Sequence, residues 1–167
     1  MKLFHRPTPL PAKLRSQINA RQVTALFCAT EETWLIATPH GLVLADNEQI
    51  QAEYGWEEIQ QITWDRDTDT LSIRWPDPSK QAQKLHNPDI DALRVFGDYS
   101  RNYLNKSQIY THFGTTPGGT SIRITVRAKS DGTKFSEVVA FGPLSQRDQS
   151  YVDTLENQVR DMAGLPV

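Results

Sequence analysis

The sequence predicts an α+β fold built on antiparallel sheet, and three observations carry that expectation. Short apolar segments rich in strand formers follow one another across short polar turns between Val23 and Trp75. A helical pattern from Asn87 to Lys106 interrupts them, and a second helical pattern closes the chain after Ser145. Consecutive strands joined by short turns pair antiparallel. At 167 residues, with 38% hydrophobic and 23% charged residues, the chain suits one globular domain or two small lobes sharing a core.

The first segment, residues 1–22, is basic. Lys2, Arg6, Lys13, Arg15 and Arg21 precede any acid, and the first acid is Glu31. Pro7, Pro9 and Pro11 favour extended backbone and argue against an early helix. A solvated tail is expected, one that can rest on the chain's own acidic stretch from Glu31 to Asp69, where Arg66 is the only base; binding of an anionic partner is the alternative.

Val23–Ala29 and Thr33–Thr38 read as strands, with "TEE" between them. "PHG" turns the chain into Leu42–Ala45, and "DNEQ" turns it again. "EYGWEEI" fits no single pattern. Ile62 and Trp64, then Leu71, Ile73 and Trp75, alternate as two strands of a hairpin. Trp64 opposite Leu71 places Ile62 opposite Ile73, so each strand keeps its apolar set on one face. The tip holds Asp65, Asp67 and Asp69. A calcium loop counted from Asp65 needs glycine at its sixth position and glutamate at its twelfth, and here these are Thr70 and Pro76. The aspartates therefore read as turn residues.

"PDPSKQ" is a polar connection. Asn87 is expected as the N-cap of the next helix, with Pro88 in its first turn and Asp89 and Asp91 complementing its dipole. Ile90, Leu93, Phe96 and Tyr103 trace its apolar stripe, with Tyr99 alongside. "QIYTHF", "SIRITVRAK" and "FSEVVAF" are the last strands, the final two joined by "SDGT". Ser145 and Asp148 resemble a capping box. Val152, Leu155, Val159 and Met162 form a stripe, shorter than an independent coiled coil needs, that is expected to pack within the chain, with a dimer seam as the alternative.

"TWLIATPHGLVLADNEQIQAEYGWEEIQQITWDRDTDTLSIRW", with the helix after it, resembles a pleckstrin-homology-like domain of the bacterial or GRAM type over about residues 23–106. The resemblance implies an antiparallel partial barrel capped by a helix, and a binding or scaffold role without chemistry of its own. Residues 107–167 are then a β-β-β-α extension sharing a core with it. Lipid-binding members of that family hold inositol phosphates with Lys and Arg in the first strand and the loop after it. Here that loop carries Glu31 and Glu32, which disfavours phosphoinositides. The helix also lacks the family's usual tryptophan, whose place would fall to Phe96 or Tyr99. The second half resembles a double-stranded-RNA-binding domain in element order, but its last helix opens with "SQRDQSYVDTLEN" rather than lysines, which disfavours nucleic acid.

Enzyme signatures find little support. "GTTPGGTS" has Walker-like glycine spacing, with Thr120 where lysine is needed and a strand after it. His5, His40, His86 and His112 are scattered, and Cys28 reads as a core thiol. No cofactor or metal is expected. A formal net charge of -2 gives no general attraction to nucleic acid or anionic lipid. No segment is long and apolar enough for a membrane span, and no signal-peptide run follows Lys2, so the expectation is a cytoplasmic protein.

The expected function is a non-catalytic protein-binding or scaffold module. The alternatives are a small-molecule-binding protein or enzyme with a cleft between the two parts, and RNA binding by the C-terminal half. Homo-oligomerisation stays open. Arg123, Arg127 and Lys129 share one strand face and are the candidate partner-binding residues. That face is either a solvated sheet face or a surface that docks an acidic one, a partner's or the chain's own, and reversing Arg123 and Arg127 to Glu is expected to leave the fold intact.

Overall fold

A computed structural model describes residues 6–166; Lys2 and His5 lie outside them. A short helix, α1 (Ala12–Gln17), precedes a four-stranded antiparallel meander of β1 (Thr24–Cys28), β2 (Thr33–Ala37), β3 (Gly41–Ala45) and β4 (Ile50–Gly55). A 3-10 turn, Trp56–Glu58, leads to a three-stranded meander of β5 (Gln61–Asp65), β6 (Thr70–Arg74) and β7 (Gln83–His86). Helix α2 (Ile90–Ser107) follows and runs into β8 (Gln108–Thr115) with no intervening residue. β8 pairs with β9 (Ser121–Ala128), β9 pairs with β10 (Lys134–Ala140), and α3 (Gln146–Met162) ends the order. The sheets are antiparallel and open, and the fold class is α+β.

The first two sheets and α2 share one core. Leu26, Leu35, Leu42 and Leu44 meet Leu71, Ile73 and Leu85 across it, and Phe96 and Leu104 enter from α2. Trp56 closes one end. Its indole N–H donates to the Thr38 carbonyl at 2.9 Å, and its ring stacks on Tyr103. The buried stripe of α2 is Ala92, Phe96, Ser100 and Leu104, at four-residue spacing. Ile90, expected on that stripe, is exposed.

The start of α2 also differs from expectation. Asp89 is the N-cap and accepts from the Asp91 N–H. Asn87 takes a positive φ of 52°, and its N–H and carbonyl are engaged by Asp69 and Ala29. Asn tolerates this left-handed backbone. It therefore ends β7, and the helix starts later.

The N-terminal segment is not a solvated tail. Leu14 and Ile18 cover the outer face of the first sheet, against Trp34, Ile36, Val43 and Ala45. β2 and β3 are thus buried on both faces, which explains their near-continuous apolar sequences "TWLIA" and "GLVLA". Pro11 is the N-cap of α1, where its ring disrupts no helical hydrogen bond. The segment is also tied down by Thr8 N–H to the Asp89 carboxylate at 2.7 Å and by a Lys13–Glu48 ion pair.

"EYGWEEI" resolves into the end of β4 and the Trp56 turn. β7 lies in a stretch that offers only Leu85 as an apolar marker. The β5–β6 register pairs Ile62 with Ile73 and Trp64 with Leu71, as alternation predicts. At its tip the Asp65 carboxylate accepts from the N–H groups of Asp67 and Thr68. In the C-terminal part, Ile122, Ile124 and Val126 of β9 lie under Val152 and Val159 of α3. Leu155 is half-buried, and Met162 is 64% exposed.

Candidate functional site

The face of β9 opposite α3 carries Arg123, Thr125 and Arg127, and it turns toward the first half of the chain. The structure separates the three candidate residues. Arg127 is fully buried. Its Nε donates to Glu137 at 3.0 Å and its Nη2 to the Gln60 side chain at 2.6 Å, with Nη1 aimed at the Ile59 carbonyl. A buried guanidinium persists only with such compensation. Arg127 therefore fastens the third sheet to the Ile59–Gln60 step and offers nothing to an outside partner. Lys129 lies beyond the end of β9, exposed on the wall of a cleft.

Arg123 is half-buried. One Nη donates to the Pro76 carbonyl at 2.9 Å, and the guanidinium lies 5.6 Å from the centre of the Phe141 ring. No ion pair joins it to a carboxylate among the described residues, and its Nε has no hydrogen-bond partner there. Burial pushes its pKa down, the nearby Arg127 adds to this, and Glu137 opposes it. The β8–β9 register sets Phe113 directly opposite Arg123. Phe113 is 71% exposed and Phe141 50% exposed. Two open aromatic rings thus flank a cation with no acidic partner. Alternation placed Arg123 on this face. Phe113 and Phe141 read only as strand residues, because sequence does not show which sheet edge or end stays uncovered.

Below this patch a cleft of about 670 Å³ separates the third sheet from the Pro76 loop. Trp75 and Phe135 give it aromatic walls, Glu57, Glu58 and Glu137 acidic ones, and Lys80 and Lys129 basic ones. Two of those acids are already engaged, Glu58 by the Gly55 N–H and Glu137 by Arg127. A second hollow of about 600 Å³ is lined by Arg15, Arg21 and His40. The Arg15 guanidinium there faces the carbonyls of Ile18 and Arg21.

The glycine-rich loop after β8 clasps the head of α3. The Gly118 N–H donates to the Asp148 carboxylate at 2.8 Å, and the Ser145 hydroxyl donates to the same group at 2.9 Å. A Cβ on Gly118 would run into that carboxylate. The Gly118 N–H chiefly, with Ser145 and Thr116 helping against partial desolvation, holds the Asp148 carboxyl below the usual aspartate range. The loop therefore cradles the chain's own anion. Cys28 is fully buried, and burial first, with Glu31 and Asp69 adding, pushes its thiol up to about 12. A thiol so raised is a core residue, not a nucleophile. Glu31 accepts from the His86 N–H at 2.8 Å and also bonds the His86 ring. Desolvation raises the Glu31 carboxyl, and the combined His86 contacts outweigh it and lower the carboxyl overall.

No protein-family model matches the chain, and no curated protein matches it significantly in sequence. Among solved structures, the chain is similar to the crystal structure of the FERM and C-terminal domain complex of Drosophila Merlin, at 17% identity and a TM-score of 0.42. That similarity covers 50% of this chain and 28% of the Merlin chain. No helix among the described residues is long and apolar enough to cross a membrane.

Proposed function

We propose that this chain is a non-catalytic binding or scaffold module whose residues 23–106 form a pleckstrin-homology-like unit and whose partner is a protein. The order of a four-stranded meander, a three-stranded meander and a helix sharing one core supports the first part. The observation that carries the second is the patch of Phe113, Arg123 and Phe141. Exposed aromatic rings around an arginine are the composition of binding hot spots. The missing acidic partner of Arg123 asks for a carboxylate between apolar side chains.

The test is a displayed peptide library selected against the protein. Sequences with Asp or Glu flanked by apolar residues should be enriched, and their binding should weaken with salt. Phe141→Ala with Arg123→Gln should reduce that binding at least about tenfold while the melting profile shows a folded protein. Equal enrichment on the double variant would remove the reading.

The walls of the cleft support a second reading, a small amphiphilic ligand held between Trp75 and Phe135. Trp75→Ala would then abolish ligand-induced thermal stabilisation that the Phe141 variant retains. RNA binding by the second half has less support, since Arg127 is buried and Asp148 occupies the head of α3.

A further inference from the structure

We infer that β8 is a self-pairing edge, through which two copies of this chain join into one continuous antiparallel sheet. This goes beyond the partner patch. It uses the free edge of β8 and the side that α3 flanks, where Tyr110, His112 and Gly114 lie; Phe113, on the opposite side with Arg123 and Phe141, is the one residue shared with that patch. β8 ends its sheet, so one line of its backbone donors and acceptors has no strand partner among the described residues. Natural proteins guard such edges with charge, proline, a bulge or a very short strand. Of these β8 has only a bulge, at its start before Tyr110. It is eight residues long, and no Asp, Glu, Lys or Arg occurs between Lys106 and Arg123, the longest uncharged run in the chain. The opposite edge, β10, is guarded by Lys134 and Glu137. β8 also concentrates exposed apolar side chains: Ile109 at 42%, Tyr110 at 41% and Phe113 at 71%.

The occupant is a second copy because β8 is complementary to itself. The bulge of β8 lies before Tyr110, so the regular stretch is Tyr110–Thr115. An antiparallel pairing of that stretch about a two-fold axis at His112 sets Tyr110 of each copy on Gly114 of the other, and Phe113 beside Thr111. Gly114 has no reason to be glycine in the isolated chain. It does not take a positive φ, and an added Cβ would make ordinary contacts with Leu155, His112 and Ile122. A cross-strand tyrosine ring beside a glycine shields its backbone, and Leu155 borders that place on the helix side. The helix leaves the outer edge of β8 open, because α3 lies chiefly over β9 and β10 and reaches β8 through Leu155. Tyr151 and Met162, its exposed apolar residues, stand four and seven residues from Leu155, which approaches Gly114. They extend the apolar surface along the seam. A two-fold axis makes the contact isologous, so the assembly closes as a dimer.

Sedimentation of the full chain tests this. The parent should show a monomer–dimer equilibrium with a dissociation constant on the order of 10 μM, as suits a small interface. His112 faces its own copy at the axis. His112→Lys and His112→Glu should each weaken self-association at least about tenfold through like charge, and an equimolar mixture of the two should restore dimers. His112→Cys gives a second readout independent of those variants. It should form a disulfide-linked dimer under mild oxidation, whereas Thr115→Cys should not; Cys28 is buried and does not compete. A parent that stays monomeric at about 1 mM overturns the inference. So does a dimer that both charged variants leave intact, or a cross-link favoured at Thr115 over His112.

Discussion

Arg127 shows what a single side chain can do when its charge is turned inward. One buried guanidinium bonds the Ile59–Gln60 step from the third sheet, beside the Gln108 side-chain amide that donates to the Gln60 carbonyl at 3.1 Å. Truncation to Ala leaves Glu137 without its cation and Gln60 without its donor, so Arg127→Ala should cost about 3 kcal/mol in denaturant unfolding. Arg127→Met, which refills the volume, should cost less. Reversal to Glu, expected from sequence to spare the fold, would set a second carboxylate against Glu137 and should unfold the protein more readily than either. Asp148 gives a prediction in pH. Its carboxyl is held low, chiefly by the Gly118 N–H, so it stabilises the native state fully above the ordinary aspartate pKa of about 3.9. That contribution is lost as pH falls through the lower native value. The melting temperature of the parent should exceed that of Asp148→Asn most at neutral pH, and the gap should close below about pH 4.

Among the elements, those with a clean period were legible in advance. The β5–β6 register followed from alternate apolar residues, and the Ser145 capping box marked the start of α3. Val152 and Val159 of the expected stripe reached the core, and Met162 did not; beyond it Ala163 and Leu165 pack against that core instead. Val159→Ala should therefore cost about 2 kcal/mol, and Met162→Ala almost nothing, in the same unfolding assay. Two elements were illegible for physical reasons. β7 is held by pairing with β6 and needs only Leu85 to face inward, so it shows no alternation. α1 is too short for a helical period, and its two anchors, Leu14 and Ile18, sit in a basic, proline-bearing stretch that resembles a tail. The candidate site was half visible. Alternation puts Arg123 and Arg127 on one face, but which of the two is exposed depends on how the third sheet meets the first half, and no local pattern encodes that.

At the scale of the molecule, the first sheet is the centre, covered inside by α2 and the second sheet and outside by the N-terminal segment. Leu14→Ala should cost about 3 kcal/mol, a size typical of core leucines and not of tails. Removal of residues 1–20 should bare Trp34, Ile36 and Val43 and raise the binding of a hydrophobic dye. The Arg127 clamp further joins the two halves, so calorimetry of the parent should give one cooperative transition, and two resolved transitions would show that the halves melt separately.

The direct passage from α2 into β8 places a limit on how this chain can vary in length. Loops absorb insertions because their ends are held by neighbours and the slack goes into solvent. Between Ser107 and Gln108 there is no slack. One added residue would either turn the strand about 100° around the helix axis or exchange every inward and outward side chain of β8. Either change would carry Phe113 off the Arg123 row. Relatives that keep this site should thus differ in length at the β5–β6 and β9–β10 turns and keep the helix–strand junction to the residue.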